Sequence, residues 1–292
     1  MNSDTRIVVT GASGLLGRAV MRVLSRRYIV EGWANRRPAN LEKVNLLDEK
    51  EVVAAFQNFR PRVLIHAAAE RWPDAMERNR EQAWALNVDV TENLAKLADS
   101  EGVFFFFIST DYVFDGLSPP YSEQDAPKPL NFYAESKVEA ERRIGRLRSR
   151  TCILRIPILY GPSTDIEESS ITVLLKSLRD PKGEEVFFDD RDIRYPTLTS
   201  DVAEAIGFLV EKSGAGIFHY TAEEPFTKYG MAVEIARQTG ITEKRIYPDP
   251  NLRSGAGRPL NAHLNNTKIR RLGFDRYTRF HEGIASVLRA FR

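Results

Sequence analysis

Short apolar runs alternate with amphipathic stretches through the first half of the sequence. The runs at 6–9 and 103–108 have the length and composition of strands buried on both faces, and apolar positions at helical spacing follow at 19–24 and 49–59. A further apolar run at 63–69 continues the alternation. Strands that alternate with helices predict βαβ units, which build a parallel sheet with helices on both faces. The sequence therefore predicts an α/β fold of the doubly wound Rossmann type.

The remaining periodic segments complete this expectation and divide the chain into two parts. Strands are predicted at 28–34, 44–48, 152–161, 186–188 and 216–220, and helices at 79–100, 131–141, 171–178, 201–212 and 229–238, the last capped by Thr227. We expect residues 1–160 to form the Rossmann domain and residues 161–292 a smaller C-terminal α/β lobe for a substrate or partner. The segment 199–222 is expected to return to the Rossmann sheet.

A glycine-rich turn follows the first strand. Gly11, Gly14 and Gly17 have G-x-x-G-x-x-G spacing between this strand and the helix that follows it. In a nucleotide-binding βαβ unit one glycine allows the tight turn, one lets the backbone approach a diphosphate, and one lets helix and strand pack closely. The start of the helix then offers unpaired N–H groups to the phosphates. The turn predicts a dinucleotide site, the alternative being an ordinary strand–turn–helix with flexible glycines.

The end of the second strand bears on the choice of dinucleotide. NAD-dependent proteins tend to place an acid there, whereas NADP-dependent proteins place arginines for the additional phosphate. Glu31 falls in the middle of the strand, and Arg36 and Arg37 follow its end, with Arg18 expected nearby. Because guanidinium groups bind phosphate in a bidentate manner, we expect NADP(H), with NAD less favoured. The alternative is that both arginines at the strand end are solvated surface residues.

Polar and small residues after a later strand are expected beside the same site. Ala67, near the end of its apolar run, is small enough to let a cofactor pass close to the backbone, and Arg71 follows it. We expect Arg71 to reach a phosphate or the nicotinamide, and His66 to be a core residue. Asn87, within a long predicted helix, either bridges to an active-site lysine, directly or through water, or faces solvent.

The most apolar strand delivers a polar group to the carboxyl edge of the sheet, where such folds bind ligands. Thr110 lies there, and Tyr133 and Lys137 are four residues apart on one face of the next helix. A tyrosine beside an ammonium suits proton transfer during hydride transfer to a carbonyl, because the ammonium and an oxidised nicotinamide both favour the phenolate. We therefore expect Thr110 to bind a substrate oxygen, Tyr133 to act as the acid, and Lys137 to hold the nicotinamide ribose.

Composition narrows the classes of protein that fit. The 292 residues carry a net charge of +2, which gives no basic surface of the kind that nucleic acid needs. No apolar run approaches the ~20 residues that span a membrane, and the first residues lack the pattern of a signal peptide. Four histidines without ligand spacing argue against a metal site, and a single cysteine excludes an internal disulfide. We expect a cytoplasmic protein that binds neither metal, membrane nor nucleic acid.

The sequence resembles the extended short-chain dehydrogenases/reductases along nearly its whole length, and within them the dTDP-4-dehydrorhamnose reductase branch. The residues that carry this resemblance are 109–116 (STDYVFDG), 129–133 (PLNFY) and 258–261 (RPLN). The resemblance implies that Thr110, Tyr133 and Lys137 are the catalytic residues of an enzyme that uses NAD(P)H to reduce a nucleotide-linked 4-keto sugar.

A second resemblance is to the regulatory beta subunits of methionine adenosyltransferase, a non-enzymatic offshoot of that branch. It is carried by 44–48 (VNLLD), 68–71 (AAER), 73–74 (PD), 155–161 (RIPILYG), 167–169 (EES), 194–197 (RYPT), 227–229 (TKY) and 231–232 (MA). That family binds NADP and associates with the catalytic subunit that makes S-adenosylmethionine. Matching its cofactor contacts places around the dinucleotide Ser13, Gly14, Leu15, Leu16, Asn35, Arg36, Arg37, Asn45, Leu46, Ala67, Arg71, Tyr133 and Leu159.

Departures from both families leave two functions open. Sugar reductases carry a tryptophan at the position of Ile158 and Gln-x-Gly at 192–194, whereas beta subunits continue beyond the final helix into a tail that engages the partner, and this sequence ends at Arg292. The first expectation is an NADP-binding, non-catalytic regulatory subunit of methionine adenosyltransferase that modulates S-adenosylmethionine synthesis. The alternative is an NADPH-dependent reductase of the dTDP-4-dehydrorhamnose reductase type, which acts on a nucleotide-linked sugar through the Thr–Tyr–Lys set.

Overall fold

The structure is a computed structural model, and it describes residues 3–35, 40–147, 150–179, 184–252 and 255–291. Its strands, in chain order, are β1 Arg6–Thr10, β2 Ile29–Ala34, β3 Glu42–Lys43, β4 Val63–His66, β5 Phe104–Thr110, β6 Thr151–Ile156, β7 Leu159–Tyr160, β8 Val186–Asp189, β9 Thr197–Leu198, β10 Gly216–His219 and β11 Ile246–Asp249. Its helices are α1 Leu15–Leu24, α2 Glu49–Phe59, α3 Pro73–Arg78, α4 Arg80–Trp84, α5 Val90–Ser100, α6 Phe132–Ile144, α7 Val173–Leu178, α8 Thr199–Lys212, α9 Lys228–Thr239, α10 Thr267–Arg271 and α11 Phe280–Leu288.

Within the part of the chain that the structure describes, seven parallel strands form the central sheet in the order β10-β6-β5-β4-β1-β2-β3. β1 lies between β2 and β4, with Val8 opposite Glu31 on one side and Leu64 on the other. The strand order runs outward from this point in both directions. Open α/β folds bind ligands at such a switch point, outside the carboxyl ends of the strands.

Two hydrophobic cores cover the two faces of this sheet. On one face, Val9 and Phe106 pack with α1 and α8, and on the other, Val8 and Phe105 pack with α2, α5 and α6. Neighbouring residues of one strand therefore face opposite cores, as the two-residue period of a β-strand requires. Burial on both faces explains why the run at 103–108 is apolar at every position. This architecture confirms the predicted doubly wound α/β fold.

A third core lies in the C-terminal part of the chain. It joins α7, α9, α11 and β8, and Ile235 and Ile284 are among its fully buried members. A small parallel pair, β8 with β11, belongs to this part, and a second pair joins β7, at Leu159–Tyr160, to β9. α8 and β10 instead pack on the large sheet, α8 against α1 and β10 beside β6. The division of the chain at residue 160 stays a prediction.

Local polar groups set where several helices begin. The Asp48 carboxylate accepts hydrogen bonds from the backbone N–H groups of Lys50 and Glu51 at the start of α2. The Thr227 hydroxyl accepts one from Gly230 at the start of α9, as predicted. Caps of this kind stabilise a helix by about 1 kcal/mol, because they pair N–H groups that the helix leaves open.

The third predicted strand differs from the observed one. The prediction at 44–48 is wrong, because β3 is confined to Glu42–Lys43, where it pairs with the end of β2. Asn45 accepts a hydrogen bond from the backbone N–H of Leu47, and Asp48 caps α2. Asparagine and aspartate side chains that accept hydrogen bonds from nearby backbone groups compete with strand pairing. These local hydrogen bonds therefore end the strand before Asn45.

Candidate functional site

A cavity of about 720 Å³ opens at the carboxyl ends of the central strands. Of the residues predicted to bind or act on a ligand, those that line it are Gly11, Ser13, Gly14, Leu15, Leu16, Gly17, Asn35, Asn45, Leu46, Ala67, Arg71, Thr110, Tyr133, Lys137 and Leu159. The other two, Arg36 and Arg37, lie outside the described residues. The fold thus brings predicted residues from distant segments to one cavity, while their contact with a dinucleotide stays a prediction.

The turn between β1 and α1 forms one wall of this cavity. Gly11 has a φ of +67°, and a Cβ atom there would lie 2.7 Å from the backbone nitrogen of Ala68. A Cβ atom at Gly17 would lie 2.2 Å from the carbonyl oxygen of Gly11. Both positions therefore require glycine, the first for a left-handed turn and the second for the close approach of α1 to that turn.

The first turn of α1 presents backbone N–H groups that no side chain caps. Its N-cap is Gly14, and the first turn contains no acidic residue. Gly14, Leu15 and Leu16 all line the cavity. Such a helix start suits a phosphate, because its N–H groups and the helix dipole both favour an anion. The residues present therefore fit a dinucleotide diphosphate.

Residues at the end of β2 line the cavity next to this turn. They are Trp33, Ala34 and Asn35. Glu31 lies within the strand, and its carboxylate accepts a hydrogen bond of 2.8 Å from the Trp33 indole. The acid of β2 is therefore held by a neighbouring side chain within the strand. It does not follow the strand end, where folds of this type bind the ribose of NAD.

Thr110, Tyr133 and Lys137 meet in the same cavity. Thr110 ends β5, and its hydroxyl accepts a hydrogen bond of 3.2 Å from the backbone N–H of Tyr112. Tyr133 and Lys137 lie in the first half of α6. Lys137 Nζ donates a hydrogen bond of 2.7 Å to the carbonyl of Ile108. The predicted set is thus assembled from one strand end and one helix.

Burial sets the protonation of these groups. Removal from water lowers the pKa of Lys137 to about 7, although the charge of Glu141 opposes this change. Burial also raises the pKa of Tyr133, an effect that a hydrogen bond with Thr110 only partly offsets. The phenol therefore stays protonated at neutral pH. The lowering of its pKa that is expected from the Lys137 ammonium together with an oxidised nicotinamide stays a prediction.

A buried carboxyl group beside Thr110 lies outside the predicted set. Asp111 is 4% exposed and lines the cavity, and burial raises its pKa to about 7 against the charge of Arg194. Arg194 is itself buried, donates a hydrogen bond of 2.8 Å to the carbonyl of Pro259, and lies 5.7 Å from the centre of the Tyr112 ring. No local pattern signals this pair, because the two residues meet only in the fold.

His66 is a core residue, as expected. Its ring nitrogens are hydrogen-bonded to the hydroxyls of Thr10 and Thr91, at 2.7 and 3.0 Å. Burial lowers its pKa to about 3, so the imidazole is neutral at neutral pH. These hydrogen bonds hold the His66 ring in the core at the end of β4, which is a structural role.

Asn87 is buried, so the alternative that it faces solvent is wrong, while its bridge to an active-site lysine through water stays a prediction. Its buried side chain bonds the backbone N–H and C=O of Glu70, each at 2.9 Å, and the Ser136 hydroxyl at 3.2 Å. It lies in a π-helical segment, Ala85–Asp89, which divides the helix predicted at 79–100. Such segments often occur at functional sites. Here the segment carries the amide that holds the cavity-lining loop after β4.

Arg18 and Arg71 both contact Glu168, in the 3₁₀ turn Ile166–Glu168. The Arg18 guanidinium binds the Glu168 carboxylate in a bidentate manner, with N–O distances of 2.6 and 2.8 Å. Arg71 lines the cavity and donates a hydrogen bond to the Glu168 carbonyl. Arg18 is held by this carboxylate, and its expected proximity to Arg36 and Arg37 stays a prediction, because those two residues lie outside the described ranges. Glu168 has no role predicted from the sequence, in which it belongs only to the segment 167–169 that carries a family resemblance.

Among the described residues, no cluster of three or more histidine, cysteine, aspartate or glutamate side chains is arranged to hold a metal ion. Cys152 is buried in β6, and burial raises the pKa of its thiol. In the same described ranges, no helix has both the length and the apolar character needed to cross a membrane.

Sequence comparisons place the chain among known proteins. A family model described as the RmlD substrate binding domain matches residues 5–292. Methionine adenosyltransferase 2 subunit beta of Danio rerio is 43% identical over 278 residues, which cover 92% of this chain and 85% of that protein. The protein of the same name from Pongo abelii is 40% identical, with 99% and 88% covered. The dTDP-4-dehydrorhamnose reductase of Aggregatibacter actinomycetemcomitans is 30% identical, with 90% and 92% covered.

Solved structures share the fold. A dTDP-4-dehydrorhamnose reductase from Clostridium acetobutylicum has a TM-score of 0.87 at 26% identity and covers 98% of this chain and 99% of its own. The Bacillus anthracis reductase in complex with NADP has the same TM-score and coverage at 24% identity. The UDP-glucose 4-epimerase of Thermus thermophilus in complex with NAD has a TM-score of 0.84 at 24% identity, with 99% of each chain covered. The chain therefore belongs to the RmlD substrate binding domain family, in the branch that contains methionine adenosyltransferase 2 subunit beta and dTDP-4-dehydrorhamnose reductase.

Proposed function

We propose that this chain binds NADP(H) in the cavity and acts as a non-catalytic regulatory subunit of methionine adenosyltransferase. The observation that carries the proposal is its 43% identity to methionine adenosyltransferase 2 subunit beta over 92% of the chain. Its identity to a dTDP-4-dehydrorhamnose reductase is lower, at 30%. The partner is then a methionine adenosyltransferase catalytic subunit, and the role is to modulate S-adenosylmethionine synthesis.

Several features support NADP(H) as the ligand. In the proposed pose the uncapped start of α1 holds the diphosphate, and Asn35, Arg36 and Arg37 hold the adenosine side. The acid of β2, Glu31, is hydrogen-bonded to Trp33 and is not among the described residues that line the cavity, so it is not placed to bind the ribose of NAD. Among proteins of this fold, a reductase is seen with NADP and an epimerase with NAD. The arginine pair favours NADP(H), because it supplies charge for the additional phosphate.

Association is tested by sedimentation velocity with the full chain and a methionine adenosyltransferase catalytic subunit. We expect the mixture to contain a complex that sediments faster than either protein, and the catalytic subunit to change its kcat or its KM for methionine. The Bacillus anthracis reductase, which shares the fold, serves as the control and is expected to form no complex. Two separately sedimenting proteins at concentrations well above those in cells contradict the proposed partner.

The second candidate function is an NADPH-dependent reductase of a nucleotide-linked 4-keto sugar. It is favoured because Thr110, Tyr133 and Lys137 line one cavity. Bound NADPH would supply the hydride, while Thr110 would bind the substrate oxygen and Tyr133 would donate the proton. One observation supports the regulatory function instead. Buried Arg194 lies 5.7 Å from the centre of the Tyr112 ring, at the position where the resemblance implies glycine in sugar reductases.

Tyr133→Phe separates these two functions. For a regulatory subunit, NADPH oxidation with dTDP-4-keto-6-deoxy sugar stays at background in both the wild type and the variant, and NADPH affinity is similar in both. Turnover by the wild type that falls by about 100-fold or more in Tyr133→Phe would instead establish the reductase, because general acid catalysis contributes on that scale. Absorbance at the NADPH band measures the rate, and NADPH fluorescence measures the affinity.

A further inference from the structure

Glu168 joins three segments that border the cavity near the glycine-rich turn. Its carboxylate binds Arg18, in α1, through two hydrogen bonds of 2.6 and 2.8 Å, and also accepts one from the Ser163 hydroxyl. Its carbonyl accepts a hydrogen bond from Arg71, in the loop after β4. The turn Ile166–Glu168 of the C-terminal part of the chain is thereby tied to both segments of the Rossmann sheet.

The bridge also reaches into the glycine-rich turn itself. Arg18 Nη1 donates a hydrogen bond of 2.5 Å to the carbonyl of Ser13, which lines the cavity. Ser170, two residues after Glu168, lines the cavity as well, as does Arg71. The Arg71–Glu168 contact therefore joins two segments whose residues line the cavity. Arg18 in turn links the Glu168 carboxylate to the Ser13 carbonyl of the glycine-rich turn.

The Arg18–Glu168 pair has the geometry of a strong ionic contact. The Glu168 side chain is 15% exposed, and the Arg18 side chain is 39% exposed. Partial burial opposes ionisation, but hydrogen bonds from Arg18 and Ser163 hold the pKa of Glu168 below its ordinary value. The carboxylate is therefore charged at neutral pH. A bidentate arginine–carboxylate pair is more directional than a single contact, so it holds the turn in one position.

We infer that Glu168 is a positioning residue of the dinucleotide site, whose bridge to Arg18 and Arg71 sets the rate at which the dinucleotide leaves. This inference rests on the proposed NADP(H) binding. A ligand that lies against the glycine-rich turn and Arg71 is enclosed on that side by the bridge. Departure on that side then requires the contacts of Glu168 to open. The bridge acts on the rate of release, and its atoms take no part in any chemistry on the ligand.

Glu168→Gln removes the charge but keeps the size of the side chain. We expect NADPH to dissociate about tenfold faster from this variant, which corresponds to about 1.4 kcal/mol in the barrier. Arg18→Gln is expected to have a similar effect. The double variant should release NADPH no faster than the faster single variant. Each single variant already lacks the ionic contact between Arg18 and Glu168, so the second substitution has no further contact of this kind to remove.

The neighbouring glutamate supplies a matched control. Glu167 is exposed and pairs with Lys176 on the surface. Glu167→Gln removes the same charge one residue away without touching Arg18 or Arg71. Stopped-flow fluorescence measures the release of bound NADPH after mixing with excess NADP+. We expect faster release from Glu168→Gln and an unchanged rate from Glu167→Gln.

The outcomes separate this inference from the proposed function. Equal NADPH release rates in the wild type and Glu168→Gln overturn the inference while leaving NADP(H) binding intact. An equal increase in Glu167→Gln also overturns it, since the effect would then come from charge alone. A wild-type chain that binds no NADPH contradicts both. Thermal unfolding of the same samples shows that the variants are folded. Arg18→Lys keeps the charge but not the bidentate geometry, so its NADPH release rate is expected to lie between those of the wild type and Arg18→Gln.

Discussion

At the scale of single residues, burial dominates the chemistry of the cavity. The pKa of Lys137 falls from 10.5 to about 7, mainly because its ammonium is removed from water. Between these two values the unfolded chain binds more protons than the folded chain. The free energy of unfolding therefore rises with pH across this window, and the cost of burying the charge is fully present below it.

Replacing Lys137 by methionine is expected to remove this dependence. At neutral pH we expect Lys137→Met to raise the free energy of unfolding by about 1–3 kcal/mol. This value is smaller than the free energy that corresponds to the lowered pKa of Lys137, because the hydrogen bond to the Ile108 carbonyl is also lost. Urea unfolding between about pH 7 and pH 10 measures the effect. Lys50→Met, at an exposed position, is the control and should keep the wild-type slope. Equal slopes in the wild type and Lys137→Met would show that the ammonium is solvated.

Gly17 illustrates a residue whose role is purely steric. We expect Gly17→Ala to lower the free energy of unfolding by about 1–3 kcal/mol, because its Cβ atom would overlap the carbonyl of Gly11. Gly230→Ala is the matched control, since a Cβ atom there meets only ordinary contacts at 3.5 Å within α9. That change should be neutral or stabilise the chain by about 0.5–1 kcal/mol. Thermal unfolding compares the two, and equal effects would contradict the close packing of α1.

At the scale of elements, the π-helical segment Ala85–Asp89 determines the shape of one cavity wall. It carries Asn87, whose amide pairs with both backbone groups of Glu70. The loop after β4 is thus held by a side chain from another element. A loop held in this way is ordered without forming secondary structure of its own.

Asn87→Ala is expected to loosen that loop. Loss of the amide leaves the N–H and C=O of Glu70 unpaired by the side chain, which costs about 1–3 kcal/mol. Hydrogen–deuterium exchange of the amides at 67–72 should become faster than in the wild type. Asn93→Ala, at an exposed position in α5, should leave the exchange unchanged. Unchanged exchange in Asn87→Ala would mean that other contacts hold the loop.

The elements that local patterns determine are those that could be predicted. α2 was predictable to its ends, because its apolar positions repeat with helical spacing from Glu49 to Phe59. β3 and the π-helical segment were not, because their conformations depend on hydrogen bonds that compete with strand and helix patterns. Asp111 and Glu168 acquire their surroundings from residues far away in the sequence, Arg194 and Arg18. No spacing rule links residues of that kind.

At the scale of the whole molecule, the parallel sheet explains why the candidate site could be predicted at all. Parallel strands end at one edge, so residues after β1, β2, β4 and β5 must meet there whatever their separation in sequence. The two cores fix the sheet between its helical layers, and the C-terminal part adds Ser170 and Arg258 to the cavity. No comparable rule fixes where a surface for a protein partner lies in this fold, so such a surface could not be predicted from the sequence pattern.

Calorimetric titration of the full chain with NADP+ and with NAD+ tests the central claim most directly. We predict that NADP+ binds at least about tenfold more tightly than NAD+, and that the double variant Arg36→Ala, Arg37→Ala loses this preference while keeping its affinity for NAD+. That result would identify the cavity as an NADP(H) site whose selectivity comes from the residues after β2. Failure of NADP+ to bind, or tighter binding of NAD+, would contradict it.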